Sequence, residues 1–152
     1  MDVLDLNWTQ TGEHVLRIVI AFALALPLGW ERGRGRTSVG LRTFPVVAMA
    51  SCGYALIVKS LPGADAETMA RLLQGLVAGI GFIGGGAILK SGVSVRGLVT
   101  AASIWNTGAI GVGMAYERED IALALGFINF LALLILTPWA NRLQRPPDDP
   151  LP

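Results

Sequence analysis

Charge is scarce in this sequence. Only 15% of its 152 residues are Asp, Glu, Lys or Arg, against about 25% in a soluble domain, while 53% are hydrophobic. That balance excludes a disordered chain and an ordinary soluble enzyme. Cysteine is nearly absent. Cys52 alone cannot close an internal disulfide, and its place inside an apolar run marks it as a small buried hydrophobe. Histidine is limited to His14, no Cys/His cluster has metal-ligand spacing, and no nucleophile stands beside a base. The chain is therefore expected to be no enzyme and to carry no metal or cofactor. A basic leader is lacking too: Asp2, Asp5 and Glu13 precede the first apolar run, which argues for a retained span over a cleaved signal peptide.

What the sequence has in place of charge is apolar length. Residues 72–89, 97–116 and 121–141 contain no charged side chain, and each is long enough for a bilayer helix of about 17–25 residues. Residues 43–59 make a fourth run, ending on Lys59, whose stem can carry its ammonium back to the interface. Residues 14–30 make a fifth, interrupted by Arg17. The expected fold is an all-α membrane protein, one bundle of five transmembrane helices over residues 1–141, followed by a short tail at 142–152.

A net charge of +1 conceals how the charges are distributed. One set of alternate loops, with the tail, holds Arg32, Arg34, Arg36, Arg42, Lys90, Arg96, Arg142 and Arg145 with only Glu31, Asp148 and Asp149. The other set holds Lys59, Arg71 and Arg118 with eight acidic residues, among them Asp65, Glu67, Glu117, Glu119 and Asp120. Basic loops stay cytoplasmic. The N-terminus is therefore expected outside and the C-terminus in the cytoplasm, an arrangement that needs an odd number of spans. Trp30 and Trp139 would then lie at the cytoplasmic interface, where tryptophan is enriched. The outer acids either set this topology or, as a weaker alternative, hold hydrated Mg²⁺ through one or two carboxylates.

Glycine is concentrated in the third run. Gly79, Gly81 and Gly84 formally match a dinucleotide fingerprint, but no strand precedes them and the next acid is Glu117, so nucleotide binding is set aside. Gly75 with Gly79, and Gly81 with Gly85, are small-xxx-small pairs of the kind that bring membrane helices together. This places the third span at the centre of the bundle. The alternative is that Gly84, Gly85 and Gly86 unwind and present carbonyls to an ion. In the fourth run Asn106 cannot leave its amide unpaired in hydrocarbon; Asn129 or Gln74 could bond it, or it could line a ligand path. Spans two to five hold no carboxylate, which argues against a carboxylate-driven transporter.

Glu31 follows the first run directly, beside four arginines between residues 32 and 42. The segment reads either as a basic anchor on anionic lipid or as a polar site built on Glu31 and Arg42. Arg34-Gly-Arg36 could suggest RNA contact, but four basic residues in a tethered loop are too few, and no nucleic-acid partner is expected. Pro27, one turn before Glu31, can kink the helix.

Four ordered blocks resemble the MgtC/SapB family of bacterial inner-membrane proteins, from about Gly29 to Gly113. They are Gly29-Trp-Glu-Arg32; Gly40-Leu-Arg-Thr43; Arg71 with Gly79-Ile-Gly-Phe-Ile-Gly-Gly85; and Val95-Arg-Gly-Leu98 with Thr100-Ala-Ala102, Trp105 and Ile110-Gly111. The resemblance implies a five-span domain in the bacterial inner membrane, adaptation to low magnesium and, in pathogens, survival inside host phagocytes. It also implies control of other membrane proteins, the proton-driven ATP synthase among them. Three departures stand out: only residues 142–152 follow the last span, Phe44 stands where the family often has His, and Thr68 stands where an acid would precede Arg71. Glu31, Arg32, Arg42, Thr43, Arg71, Arg96 and Asn106 are the polar site candidates; Gly75, Gly79, Gly81, Gly84, Gly85 and Gly86 are the packing or pathway candidates. The expected function is regulation by binding membrane proteins, with the lipid bilayer as surroundings and a second copy of the chain as a further candidate partner. The alternative is a small homo-oligomeric transporter or channel for Mg²⁺ or another cation.

Overall fold

A backbone in hydrocarbon must satisfy its own hydrogen bonds, and a helix does so within one segment. The computed structural model describes residues 7–33, 40–91 and 94–143, and the apolar runs there form five helices. They are α1 (Trp8–Gly33), α2 (Thr43–Lys59), α3 (Ala66–Gly86), α4 (Leu98–Ala115) and α5 (Glu119–Leu143). Four are long and apolar enough to cross a membrane; α2, at 17 residues, is shorter. Local chemistry sets the starts. The Asn7 side chain accepts from the Gln10 N–H at 3.3 Å, and the Asp65 carboxylate accepts from the Thr68 N–H at 2.8 Å, each supplying a cap for otherwise unpaired donors. Glu119 and Asp120 occupy the first turn of α5, where the helix dipole favours acids.

Between α3 and α4 lies an antiparallel hairpin that the all-helical reading did not contain. Strand β1 (Leu89–Ser91) pairs with β2 (Ser94–Arg96), Leu89 opposite Arg96 and Lys90 opposite Val95. The helix covering the third apolar run begins earlier than residue 72 and ends at Gly86, so Leu89 lies in a strand. Gly97 makes the return into α4 with φ of +90°, and a Cβ there would meet the Ala87 carbonyl oxygen at 2.0 Å. Only glycine meets both demands. At the same end of the bundle the chain closes on itself through Gly40, whose added Cβ would stand 2.7 Å from the Gly29 carbonyl oxygen and 2.6 Å from the Gly33 nitrogen. Two of the sequence blocks, around Gly29 and Gly40, thus meet as a backbone-to-backbone contact.

The core is organised around α4. Its most extensive partner is α2, and it also packs on α1, α3 and α5. Ser103, Ile104, Thr107, Gly108, Ile110, Gly111, Met114 and Ala115 are all buried, a spacing that leaves little of the helix uncovered. Facing it, α2 buries Phe44, Val47, Ala48, Ser51, Cys52, Ala55 and Leu56, a continuous stripe at helical spacing. From α1 come Ala21, Ala25, Leu28 and Gly29. Cys52 is fully enclosed, as its position implied.

This corrects one expectation. The glycine-rich α3 is not the centre of the bundle but its rim: 11% of its apolar window is buried, against 56% for α4. A Cβ added at Gly75, Gly79, Gly81, Gly85 or Gly86 would meet nothing within 4 Å; Gly84 alone of that group packs, 3.1 Å from the Ala101 carbonyl oxygen. The close approach occurs in α4, where a Cβ on Gly111 would stand 2.2 Å from the Ala48 carbonyl oxygen of α2.

Gly111→Ala should therefore force two backbones apart and cost about 1–3 kcal/mol. Gly79→Ala should be neutral or stabilise by up to about 1 kcal/mol, since alanine favours helix and meets no neighbour. Thermal unfolding of both variants in one detergent checks the contrast; equal losses would contradict it.

Candidate functional site

Polar side chains on a buried membrane helix must find partners, and on α4 they find them toward α5. Thr100, Ser103 and Asn106 recur every three residues along α4, while Asn129 and Thr137 lie two turns apart on α5; together they line a groove of about 760 Å³. Arg32, in the last turn of α1, and Arg96, at the end of β2, line the same groove. Ser103 Oγ donates to Asn129 Oδ1 at 3.3 Å, and Asn106 Nδ2 donates to the Leu125 carbonyl oxygen at 3.4 Å. Thr107 turns inward and donates to the Ser103 carbonyl oxygen at 2.7 Å.

Arg32 is the charged centre of this arrangement, with 13% of its side chain exposed. Its Nη2 donates to Thr137 Oγ1 at 2.9 Å and stands 3.9 Å from Glu31 Oε1, a long ion pair. Arg32 Nε and Asn129 Nδ2 are the two buried side-chain nitrogens left without a hydrogen-bond partner among the described residues. A buried donor in that state costs roughly 1–3 kcal/mol. Both belong to residues that line the groove, so among the described residues the buried unpaired donors gather there.

The structure brings together three of the sequence candidates, Arg32, Arg96 and Asn106, with Glu31 adjacent. Arg42 is exposed at the N-cap of α2 and is not paired with Glu31; Thr43, half-buried, opens that helix. Arg71 is exposed and pairs with Glu67 one turn earlier on α3. Arg34 and Arg36 lie outside the described residues. Ser103, Asn129 and Thr137 complete the groove, and Ser103 and Thr137 were not singled out from the sequence. Their signal was available: polar residues at helical spacing on two otherwise apolar runs.

The opposite end of the bundle is closed by charge. Arg17, the residue that interrupts the first run, donates to the Met114 carbonyl oxygen at 3.1 Å and pairs with Glu119 at 3.1 Å and Glu117 at 3.4 Å. Lys59 pairs with Glu117 at 2.7 Å, and the Tyr116 hydroxyl donates to the Met69 sulfur. Glu117 adopts φ of +58°, rare for a side-chain-bearing residue. The Lys59 hydrogen bond, then the charges of Lys59 and Arg17, hold the Glu117 carboxyl below its usual range. Hydrogen bonds from Thr68 do the same for Asp65. With Glu67 on Arg71 and Asp120 on Arg118, Asp65, Glu67, Glu117, Glu119 and Asp120 are all engaged, and among the described residues no cluster of acids, His or Cys is arranged to hold a metal ion.

A model of the MgtC family matches residues 18–142. The chain is 41% identical over 138 residues to the uncharacterized protein slr0014 of Synechocystis, covering 91% of this chain and 58% of that protein. It is 34% identical over 134 residues to protein MgtC of Salmonella typhimurium, covering 88% and 57%, and 34% identical over 141 residues to protein SrpB of Synechococcus elongatus, covering 85% and 75%. The chain thus spans under two thirds of the first two relatives. No solved structure matches.

A carboxyl whose folded pKa lies below its unfolded value stabilises the fold above the unfolded value, about 4.3 for glutamate, and that stabilisation is lost as pH falls through the folded value. Unfolding temperature should therefore hold above about pH 4.3 and drop as pH is lowered below it. Glu117→Gln should lower it at pH 7 and flatten the dependence. An unchanged slope in that variant would contradict the closure.

Proposed function

The chain belongs to the MgtC family and is a multi-pass membrane protein, and from that premise we propose that it is a regulatory protein of the bacterial inner membrane, acting by binding other membrane proteins during adaptation to low magnesium. The observation that carries this reading is the open glycine face of α3. Helix glycines weaken a helix, and in a membrane they serve by letting another backbone approach. Here Gly75 and Gly79 line an apolar crevice of about 470 Å³ between α2 and α3, and a Cβ at either would meet nothing. The surface that small residues prepare is unused among the described residues and suits a helix from outside the chain. The excess of Lys and Arg in the hairpin-side loops supports a cytoplasmic placement of that end.

In this reading a partner's transmembrane helix enters the α2–α3 crevice. The proton-driven ATP synthase, the partner class that the family resemblance implies, is the first to examine, and a second copy of the chain is the next. Survival of pathogens in host cells would be a downstream consequence of the same control.

The test is purification from membranes of cells grown in low and high magnesium, with co-purifying membrane proteins identified by mass spectrometry. A specific partner should accompany the wild type and be lost from Gly75→Leu/Gly79→Leu, whose unfolding temperature should stay within a few degrees of wild type. A monomer without partners in both media, or magnesium flux in proteoliposomes, would overturn the reading, flux favouring a transporter.

A further inference from the structure

The groove between α4 and α5 combines two chemistries. At the hairpin end stand Arg32 and Arg96; along α5 the lining is mostly apolar, through Leu125, Ile128, Ala132, Leu133 and Leu136, with Asn129 interspersed and Ser103 and Asn106 on α4. Among the described residues no carboxylate lines it. Glu31 stands 3.9 Å from Arg32, too far for a strong charge-assisted hydrogen bond. A largely buried guanidinium offers five N–H donors in a planar fork. Here one nitrogen is engaged by Thr137, and Nε has no acceptor among the described residues. The position within the bundle adds a third constraint. Trp30 and Trp139 are exposed at this same end, as expected where a helix bundle meets the headgroup layer.

From these observations we infer that the α4–α5 groove binds an anionic phospholipid, with its phosphate on Arg32 and Arg96 and an acyl chain along Leu125, Ile128 and Ala132. A phosphate matches the guanidinium fork with two parallel hydrogen bonds and supplies the counter-charge that Glu31 delivers only weakly. Asn129 Nδ2 and Asn106 are further donors deeper in the groove. The apolar side chains of α5 along the groove suit an acyl chain, which a small free anion lacks. The inference concerns the α4–α5 groove alone and is independent of the α3 crevice.

The experiment is native mass spectrometry of the full chain, released from detergent after exchange with phosphatidylglycerol, with phosphatidylcholine, or with inorganic phosphate. Wild type should retain one phosphatidylglycerol preferentially. Arg32→Gln and Arg96→Gln should each weaken retention by about tenfold, the scale of one charge-assisted contact. Should Arg32→Gln fail to fold, Arg96→Gln on the exposed hairpin and Ala132→Phe, which fills the groove and leaves both arginines in place, carry the test. Equal retention in wild type, Arg96→Gln and Ala132→Phe would overturn the site. Protection against unfolding by inorganic phosphate equal to that by phosphatidylglycerol would overturn the lipid as its occupant.

Discussion

The backbones of α2 and α4 approach so closely at Gly111 that a methyl group there would sit 2.2 Å from the Ala48 carbonyl oxygen. Lipid tails are as apolar as leucine, so membrane helices are held by contact area rather than by escape from water. That area is largest where side chains are smallest. Gly108 and Gly111 of α4 lie against Ala48, Ser51 and Cys52 of α2, and α1 adds Ala21 and Ala25 to the same core. Once α4 is enclosed by α2 and α1, the remaining neighbours share its other sides. There its polar residues must be answered by α5, since hydrocarbon answers none of them. The Ser103–Asn129 and Asn106–Leu125 hydrogen bonds are that answer, and the groove is what remains between them.

The two ends of the bundle differ in how completely charge is paired. At one, Arg17 and Lys59 draw Glu117 and Glu119 across the tops of α1, α2 and α5. At the other, Arg32 has Thr137 and a distant Glu31, and the sequence around it holds further arginines without matching acids. One end is electrostatically closed and the other is poor in anions.

The five helices were legible in the sequence because charge-free length is a strong signal in a membrane chain. The hairpin was not: three-residue strands have too few positions to show an alternation, and their pairing depends on where α3 stops. The centre of the bundle was misplaced for a physical reason. Glycine density marks a surface made for close approach but not which chain approaches it, and six glycines in α3 outweighed the three in α4 that are buried. The site was partly legible. Glu31 and Arg32 were singled out from their place at the end of an apolar run. Arg42, expected opposite Glu31, is exposed instead, and the partner of Arg32 is Thr137, 105 residues away. A pairing across that separation is set by which helices are neighbours, which a single sequence does not state. The family blocks were legible as words before their contacts were: Gly29 and Gly40 are two sides of one backbone contact.

The most direct test of α4 as the central helix is a carbon–carbon correlation spectrum of the uniformly labelled protein in lipid bilayers by solid-state NMR. The Gly111 Cα should correlate with the Ala48 carbonyl carbon, while Gly79 and Gly81 show no contact with another helix of their own chain. Absence of the Gly111–Ala48 correlation, with Gly79 and Gly81 each coupled to two neighbouring helices, would place α3 at the centre and contradict the arrangement.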